Sequence, residues 1–273
     1  MAFCTRFAPS PTGYLHTGHA YAAKIAHDLA RSQNGSYLVR FEDIDHTRVR
    51  PEFYEAALED LAWLSLSPDE EPLRQLDRLS FYQSALAQLR SLGVLYPCTC
   101  TRRDIATAAK APHGSEGPVY PGTCRHKGIT ESDKVPRAWR LNAEKAATLT
   151  GPLTFHDRSR GLIPVQPTLL GDVILARKDI ATSYHLAVVV DDAAQGVTLV
   201  TRGEDLFSST HVHRLLQALL NLPEPTYLHH ALITDSSGRR LAKRDSARSL
   251  RELRSSAVSP ADILSSFPSP CAA

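Results

Sequence analysis

Two histidines three residues apart, His16 and His19 in PSPTGYLHTGH, stand between an apolar N-terminal segment and an alanine-rich one with helical spacing. A helix start already favours anions through its unpaired backbone N–H groups, and two imidazoles there add donors for a phosphate. Gly13 and Gly18 would let such a ligand close on the backbone. Helix capping, or a place at the core edge, is the plainer account, and the stretch is not a Walker-A loop because no G-K-[ST] follows. A basic run late in the chain, RRLAKRDSARSLRELR, could meet the same anion or form a solvated helix face. Arg6 at a strand end and Arg202 just after another strand suit a planar carboxylate. A structural ion pair of either arginine with Glu42 or Asp43 would explain them as well.

Cysteine chemistry points elsewhere. Of five cysteines, Cys98, Cys100 and Cys124 fall close together, apart from Cys4 and Cys271. In a reducing compartment such a group suggests metal before disulfides. Zinc normally takes four ligands in a closed structural site, and spacing nominates His126 for the fourth; buried, unliganded thiols are the alternative.

These residues need a scaffold, and the pattern supplies an α/β one. Phe3 to Ala8 reads as a strand, residues 19–33 as a helix, and SYLVRFEDID as a second strand ending in acids. Pro51 opens the helix PEFYEAALEDLAWLSL, and Ser80 with Gln83 forms a capping box for SFYQSALAQLRSLG, which Gly93 closes. From about Tyr96 to Pro167 the segments shorten and become rich in Gly, Pro and Thr, as an insertion would. Alternation then resumes: SYHLAVVVDDAAQG reads as a buried strand, VTLVTRGEDL as another, and SSTHVHRLLQALLNL as a helix with a hydroxyl cap. The expectation is a parallel sheet, interrupted and resumed.

HTGH resembles the HIGH signature of the class I aminoacyl-tRNA synthetases, and TRFAPSPTGYLHTGHAYAA is similar to the glutamyl-specific form. VRFEDIDHTR, YPCTCTRRDI, SYHLAVVVDDAAQGVTLVTRGEDL and GRRLAKRD follow in the family's order, so the resemblance spans nearly the whole chain. It implies a Rossmann-type parallel sheet split by a small zinc-containing insertion domain. Residues 1–95 and 168–245 would be the halves of the catalytic domain, 96–167 an inserted acceptor-type domain, and 246–273 a short tail. RLAKR is similar to the family's KMSKS loop, although Arg240, Ala242 and Arg244 depart from it. By resemblance His16, His19 and Lys243 are catalytic, and ATP meets His16, Gly18, His19, Arg240 and Lys243. Arg6, Phe7, Ala8, Pro9, Ser10 and Arg202 would line a glutamate pocket, with Glu42 facing the ammonium and Tyr184 forming one wall. The resemblance names Tyr120, in place of His126, as fourth ligand of one structural Zn2+, with Mg2+ accompanying ATP.

About thirty residues follow Lys243, short of a helical anticodon-reading domain. The expectation is therefore a truncated glutamyl-tRNA synthetase paralogue. Such a ligase activates L-glutamate with ATP in the absence of tRNA and attaches it to the queuosine base of tRNA(Asp). A non-catalytic tRNA-binding paralogue, a fragment charging tRNA(Glu), and a small-substrate adenylating ligase of the same superfamily are the alternatives. Asp43, Asp45, Asp191 and Asp192 lie near expected strand ends, as acid–base groups or as loop caps. With 42% hydrophobic and 22% charged residues, a net charge of +2, no bilayer-length apolar run and no secretory leader, a cytoplasmic monomer is expected.

Overall fold

The computed structural model describes residues 2–45, 47–101, 103–104, 119–128, 137–180, 182–233 and 248–268. CTRF forms β1 (Cys4–Phe7), α1 spans Thr17–Ser32, and SYLVRF forms β2 (Ser36–Phe41) parallel to β1. Pro51 takes the first turn of α2 (Pro51–Trp63), where its missing N–H has no partner to lose. After β3 (Leu73–Arg74), a 3-10 turn at Gln75–Arg78 runs straight into α3 (Leu79–Ser91). The expected Ser80–Gln83 capping box is absent for that reason: Arg78 occupies the cap position and makes no side-chain cap bond. Gly93, at φ +67°, does follow the end of α3.

Onward come β4 (Leu95–Cys98), β5 (Ala138–Leu141), α4 (Ala143–Thr150), β6 (Thr154–Asp157), β7 (Gly161–Pro164) and β8 (Ile174–Ala176). They lead to α5 (Tyr184–Ala194), β9 (Leu199–Gly203), α6 (Ser209–Leu219), β10 (Thr226–His230), α7 (Leu250–Ser255) and α8 (Pro260–Ser265). The main sheet has the order β3-β2-β1-β9-β10-β6-β7 and is parallel except for β7. β4, β5 and β8 make a small antiparallel sheet. The architecture is thus a Rossmann-like α/β fold dominated by parallel strands. Sheet membership does not follow the composition shift at 96 and 167: β6 and β7 join the main sheet through β10, and β8 completes the small one. Phe155 of β6, fully buried against Tyr227 and Phe207, shows why, since β6 brings its own apolar face to the central core.

One expected strand is a helix. HLAVVVDDAA forms α5, wedged between α3 and α6 so that Leu186, Val188 and Val189 are all buried. An unbroken apolar run signals burial but not period, and here the helix wins because carboxylates at 191 and 192 must also face inward to meet arginines. The hydroxyl cap expected on α6 is likewise missing, as Ser208 has helical backbone angles and makes no side-chain cap bond.

Strand alternation places the chemistry. Cys4, Leu38, Val200, Tyr227 and Phe155 share one apolar cluster on one face of the main sheet. Two residues on, the same face carries Arg6, Arg40, Arg202, His229 and Asp157, as a period of two requires. Register aligns them further, with His229 opposite Arg202 and Tyr227 opposite Val200. On the opposite face, α1 packs its alanines over Tyr37 and Val39.

Candidate active site

The strand order reverses between β1 and β9, and open parallel sheets bind ligands at such a switch point. A cavity of about 390 Å³ opens there. Its lining includes Arg6, Phe7, Ala8, Pro9, Ser10, Glu42, Tyr184 and Arg202, the eight residues expected to meet glutamate, together with Thr12, His19 and Leu206. Four separate segments supply them: the end of β1, the residue after β2, the first residue of α5 and the end of β9.

His16 and His19 form the start of α1 in a reciprocal way. His16 Nδ1 accepts from the Gly18 amide at 3.1 Å, and the His16 amide donates to His19 Nδ1 at 3.2 Å. Capping and anion binding are therefore not alternatives. Because both Nδ1 atoms accept, the proton of each neutral ring sits on Nε2. The rings lie 3.9 Å apart, centroid to centroid. Gly18 earns its place mainly through this cap: a Cβ there would lie 3.0 Å from His16 Cε1 and 3.1 Å from its Nδ1. Arg240 and Lys243, the expected loop cations, lie outside the described residues.

Beside the cavity, Arg6 Nε and Arg40 Nη1 both donate to Asp192 Oδ1, at 2.8 and 2.7 Å. Arg40 also reaches Gln195 Oε1 at 3.1 Å and Glu42 Oε1 at 3.4 Å, and is itself 0% exposed. Burial pushes the Glu42 carboxyl up, against the pull of Arg40 and Arg6. Burial acts on Asp192 in the same sense, but its two arginines win and hold it below the usual carboxylate range. Arg6 thus pairs with Asp192 and not with Glu42 or Asp43. Asp43 accepts from Tyr54 and from the Leu76 amide, Asp45 from Thr47, and Asp191 from Gln75, Arg78 and Tyr82. Those bonds are structural, and none of these acids lines the cavity.

Arg202 is held differently. Its Nε donates to His229 Nε2 at 3.1 Å, Nη2 to Thr210 Oγ1 at 2.6 Å, and Nη1 approaches His213 Nδ1 at 3.1 Å and Tyr184 Oη at 3.4 Å. No ion pair joins it to a carboxylate within 4.0 Å among the described residues. Behind it, His229 Nδ1 meets Asp157 Oδ2 at 2.6 Å, and His185 Nδ1 lies 3.2 Å from His213 Nε2.

Sequence reasoning missed this surrounding set. Arg40 was detectable as a charge inside an apolar strand, and His229 as a titratable residue two after Tyr227; their convergence needed the topology.

Burial lowers the imidazole of His229 to about 4, although Asp157 opposes it, and lowers His185 to about 4 with help from the Arg202 charge. His213 lies well below 6.5 for the same two reasons. These rings stay neutral when folded and take up protons near 6.5 when unfolded, so the stabilisation is complete above about 6.5 and lost as pH falls toward 4. The raised carboxyls of Glu42 and Asp60 act in the opposite sense, but Asp157, Asp69 and Asp192 are depressed and act with the histidines. The melting temperature is expected to fall steadily from pH 7 to pH 4.5 in calorimetric scans. A flat profile would contradict buried neutral imidazoles.

The cysteines converge on the small sheet. Sγ atoms of Cys98, Cys100 and Cys124 lie within 4.8 Å of one another. Tyr120 Oη sits among them, 3.4 Å from Cys98 Sγ and 3.6 Å from Cys100 Sγ, and accepts from the Cys124 amide at 2.8 Å. His126 is exposed and outside the cluster. Tetrahedral zinc with Zn–S near 2.3 Å requires ligand–ligand edges of about 3.8 Å, which this donor set approaches. Burial opposes ionisation in the cluster and pushes Cys100 up to about 11, while hydrogen bonds from Tyr120, the Thr99 amide and the neighbouring thiols bring Cys124 down to about 6.

Residues 2–266 match the family model of the class I tRNA synthetases (E and Q), catalytic domain. The glutamyl-Q tRNA(Asp) synthetase of Rhodobacter capsulatus is 52% identical over 95% of this chain and 97% of its own length. That of Deinococcus radiodurans is 42% identical over 97% of this chain and 87% of its own. Among solved structures, the glutamate tRNA ligase of Elizabethkingia meningosepticum, in complex with its amino acid, superposes with a TM-score of 0.74 at 27% identity over 90% of this chain. The chain spans about half of that ligase, 52% of its length. No helix among the described residues is long and apolar enough to cross a membrane. The chain belongs to the class I tRNA synthetases of the glutamyl and glutaminyl type and, within them, to the glutamyl-Q tRNA(Asp) synthetases.

Proposed function

We infer that this protein activates glutamate with ATP without tRNA and transfers it to the queuosine base of tRNA(Asp). The observation that carries the reading is one cavity at the β1/β9 switch point holding a buried arginine, Arg202, without a carboxylate ion pair among the described residues. A buried cation needs an anion, and the γ-carboxylate of glutamate is the anion we assign to it. Glu42, beside Arg40, takes the substrate ammonium, a cation that would offset the burial pushing its carboxyl up; Tyr184 closes the wall. The α-carboxylate then attacks the α-phosphate of ATP, forming the acyl-phosphate bond and releasing pyrophosphate. No protein nucleophile is needed, so the chain contributes position and charge. His16 and His19 direct Nε2–H donors at the phosphates, Gly18 leaves room for them, and Lys243 and Arg240 supply further cations. A nucleophile of the queuosine base next takes the acyl carbon and AMP departs.

Cys98, Cys100, Tyr120 and Cys124 are the residues we assign to one structural zinc, which would lock the small sheet. The acceptor-type insertion in this reading falls largely within residues 96–167, between catalytic halves 1–95 and 168–245, although β6 and β7 pair with the main sheet and β8 with the small one. A cytoplasmic monomer completes this reading. The test is twofold. Glutamate-dependent exchange of pyrophosphate into ATP is expected without tRNA, and labelled glutamate is expected on tRNA(Asp) carrying queuosine. Equal labelling of tRNA(Asp) lacking that base would remove the acceptor, and no exchange would remove the adenylation.

A further inference from the structure

We propose that His229 and His213 are positioning residues for Arg202, neutral imidazoles whose acceptor nitrogens aim the guanidinium into the cavity, with Asp157 fixing the His229 ring. This rests on the assignment of Arg202 to the substrate side chain. An arginine only donates, so the nitrogen facing it on each ring is an acceptor and the ring proton sits on the other nitrogen. His229 therefore accepts at Nε2 and donates Nδ1–H to Asp157 Oδ2. His213 accepts at Nδ1 and donates Nε2–H to His185 Nδ1. Two hydrogen-bond chains leave the guanidinium, one ending on a carboxylate and the other on a second neutral imidazole.

The arrangement does something a direct ion pair could not. A carboxylate touching Arg202 would neutralise it and compete with the substrate, whereas Arg6 and Arg40 share the one carboxylate of Asp192. Neutral acceptors orient the same donors and leave the charge uncompensated. Among the described residues, four of the five N–H groups are used, by His229, Thr210, His213 and Tyr184, which leaves one Nη2–H on a residue that lines the cavity. The Tyr184 bond, at 3.4 Å, is the longest of the four and the easiest to exchange for a substrate oxygen. Asp157 Oδ1 is occupied separately by Ser159 and the Arg160 amide, so the β6–β7 turn holds the carboxylate while Oδ2 serves His229.

The proposal is tested by tRNA-independent pyrophosphate exchange with the full chain, scoring KM for glutamate and for ATP separately. His229→Leu is expected to raise the glutamate KM roughly tenfold or more while the ATP KM stays within about twofold, as for loss of one charged hydrogen bond. His229→Gln, which puts an acceptor oxygen near the position of Nε2, is expected to restore most of the loss. His213→Leu and His213→Asn form a second pair, Asn Oδ1 replacing Nδ1, should the first pair fail to fold. Rejection of glutamine is expected to weaken in both leucine variants. An unchanged glutamate KM in the leucine variants overturns the proposal; so does a loss shared equally by both substrates and unrelieved by the amides. Arg202→Ala separates the two readings: if it leaves the glutamate KM unchanged, the pocket assignment itself is wrong. If it raises KM while the histidine variants do not, the positioning role alone falls.

Discussion

Replacing Asp192 by asparagine is expected to cost about 3–5 kcal/mol of folding free energy, the usual penalty for removing one partner of a buried ion pair. Here one carboxylate oxygen serves two arginines, Arg6 at 2.8 Å and Arg40 at 2.7 Å, and neither side chain can reach water instead. An asparagine Oδ1 could still accept from both but carries no charge, so two positive groups would face each other without the carboxylate between them. Domains of this kind are stable by roughly 5–15 kcal/mol, so the variant should unfold at a markedly lower urea concentration. Glutamate use should fail with it, because Arg6 lines the cavity and Arg40 also contacts Glu42. A midpoint shift equivalent to less than about 1 kcal/mol, the range of exposed pairs, would show that the cluster is solvated and not buried.

Loss of the metal is the second large effect. Cys98→Ser or Cys124→Ser is expected to reduce bound zinc from one equivalent per chain to none. Structural zinc supplies about 10–16 kcal/mol of apparent binding energy in small zinc-dependent folds, so chelation should lower the melting temperature and open the small sheet to proteolysis. Three buried or half-buried sulfurs and a phenol oxygen drawn together at one point are a poor core without a cation. Pyrophosphate exchange is expected to survive better than transfer to tRNA, because the cluster contributes no residue to the cavity. Protein purified without chelators that contains no zinc, or that melts identically after chelation, would defeat the assignment.

Much of the site was legible as strand arithmetic. Cys4 and Arg6, Leu38 and Arg40, Val200 and Arg202, Tyr227 and His229 are each an apolar residue followed two places later by a titratable one, and parallel pairing stacks these rows on one face. What could not be read was the partner across the gap. Asp192 was assigned to a strand end, since the run through Val190 carries no helical period, and only packing against α3 and α6 makes it a helix that turns two adjacent carboxylates inward. Gly18 looked like room for a phosphate; that it also makes room for a neighbouring ring depends on His16 folding back over the helix start. Tyr120 against His126 was likewise beyond spacing, because a phenol oxygen reaches the thiols from a β-bridge to Gly171 while His126 faces solvent.

The reciprocal cap at the start of α1 explains why these two positions want imidazole and not simply charge. Lysine or arginine would offer phosphate a stronger cation but has no lone pair for the waiting amides, so the first turn would fray. Asparagine would satisfy those amides but has no second ring nitrogen to present an N–H on the far side. An imidazole has two sides of opposite character on one rigid ring: the helix takes one, and the function proposed above gives the other to the nucleotide.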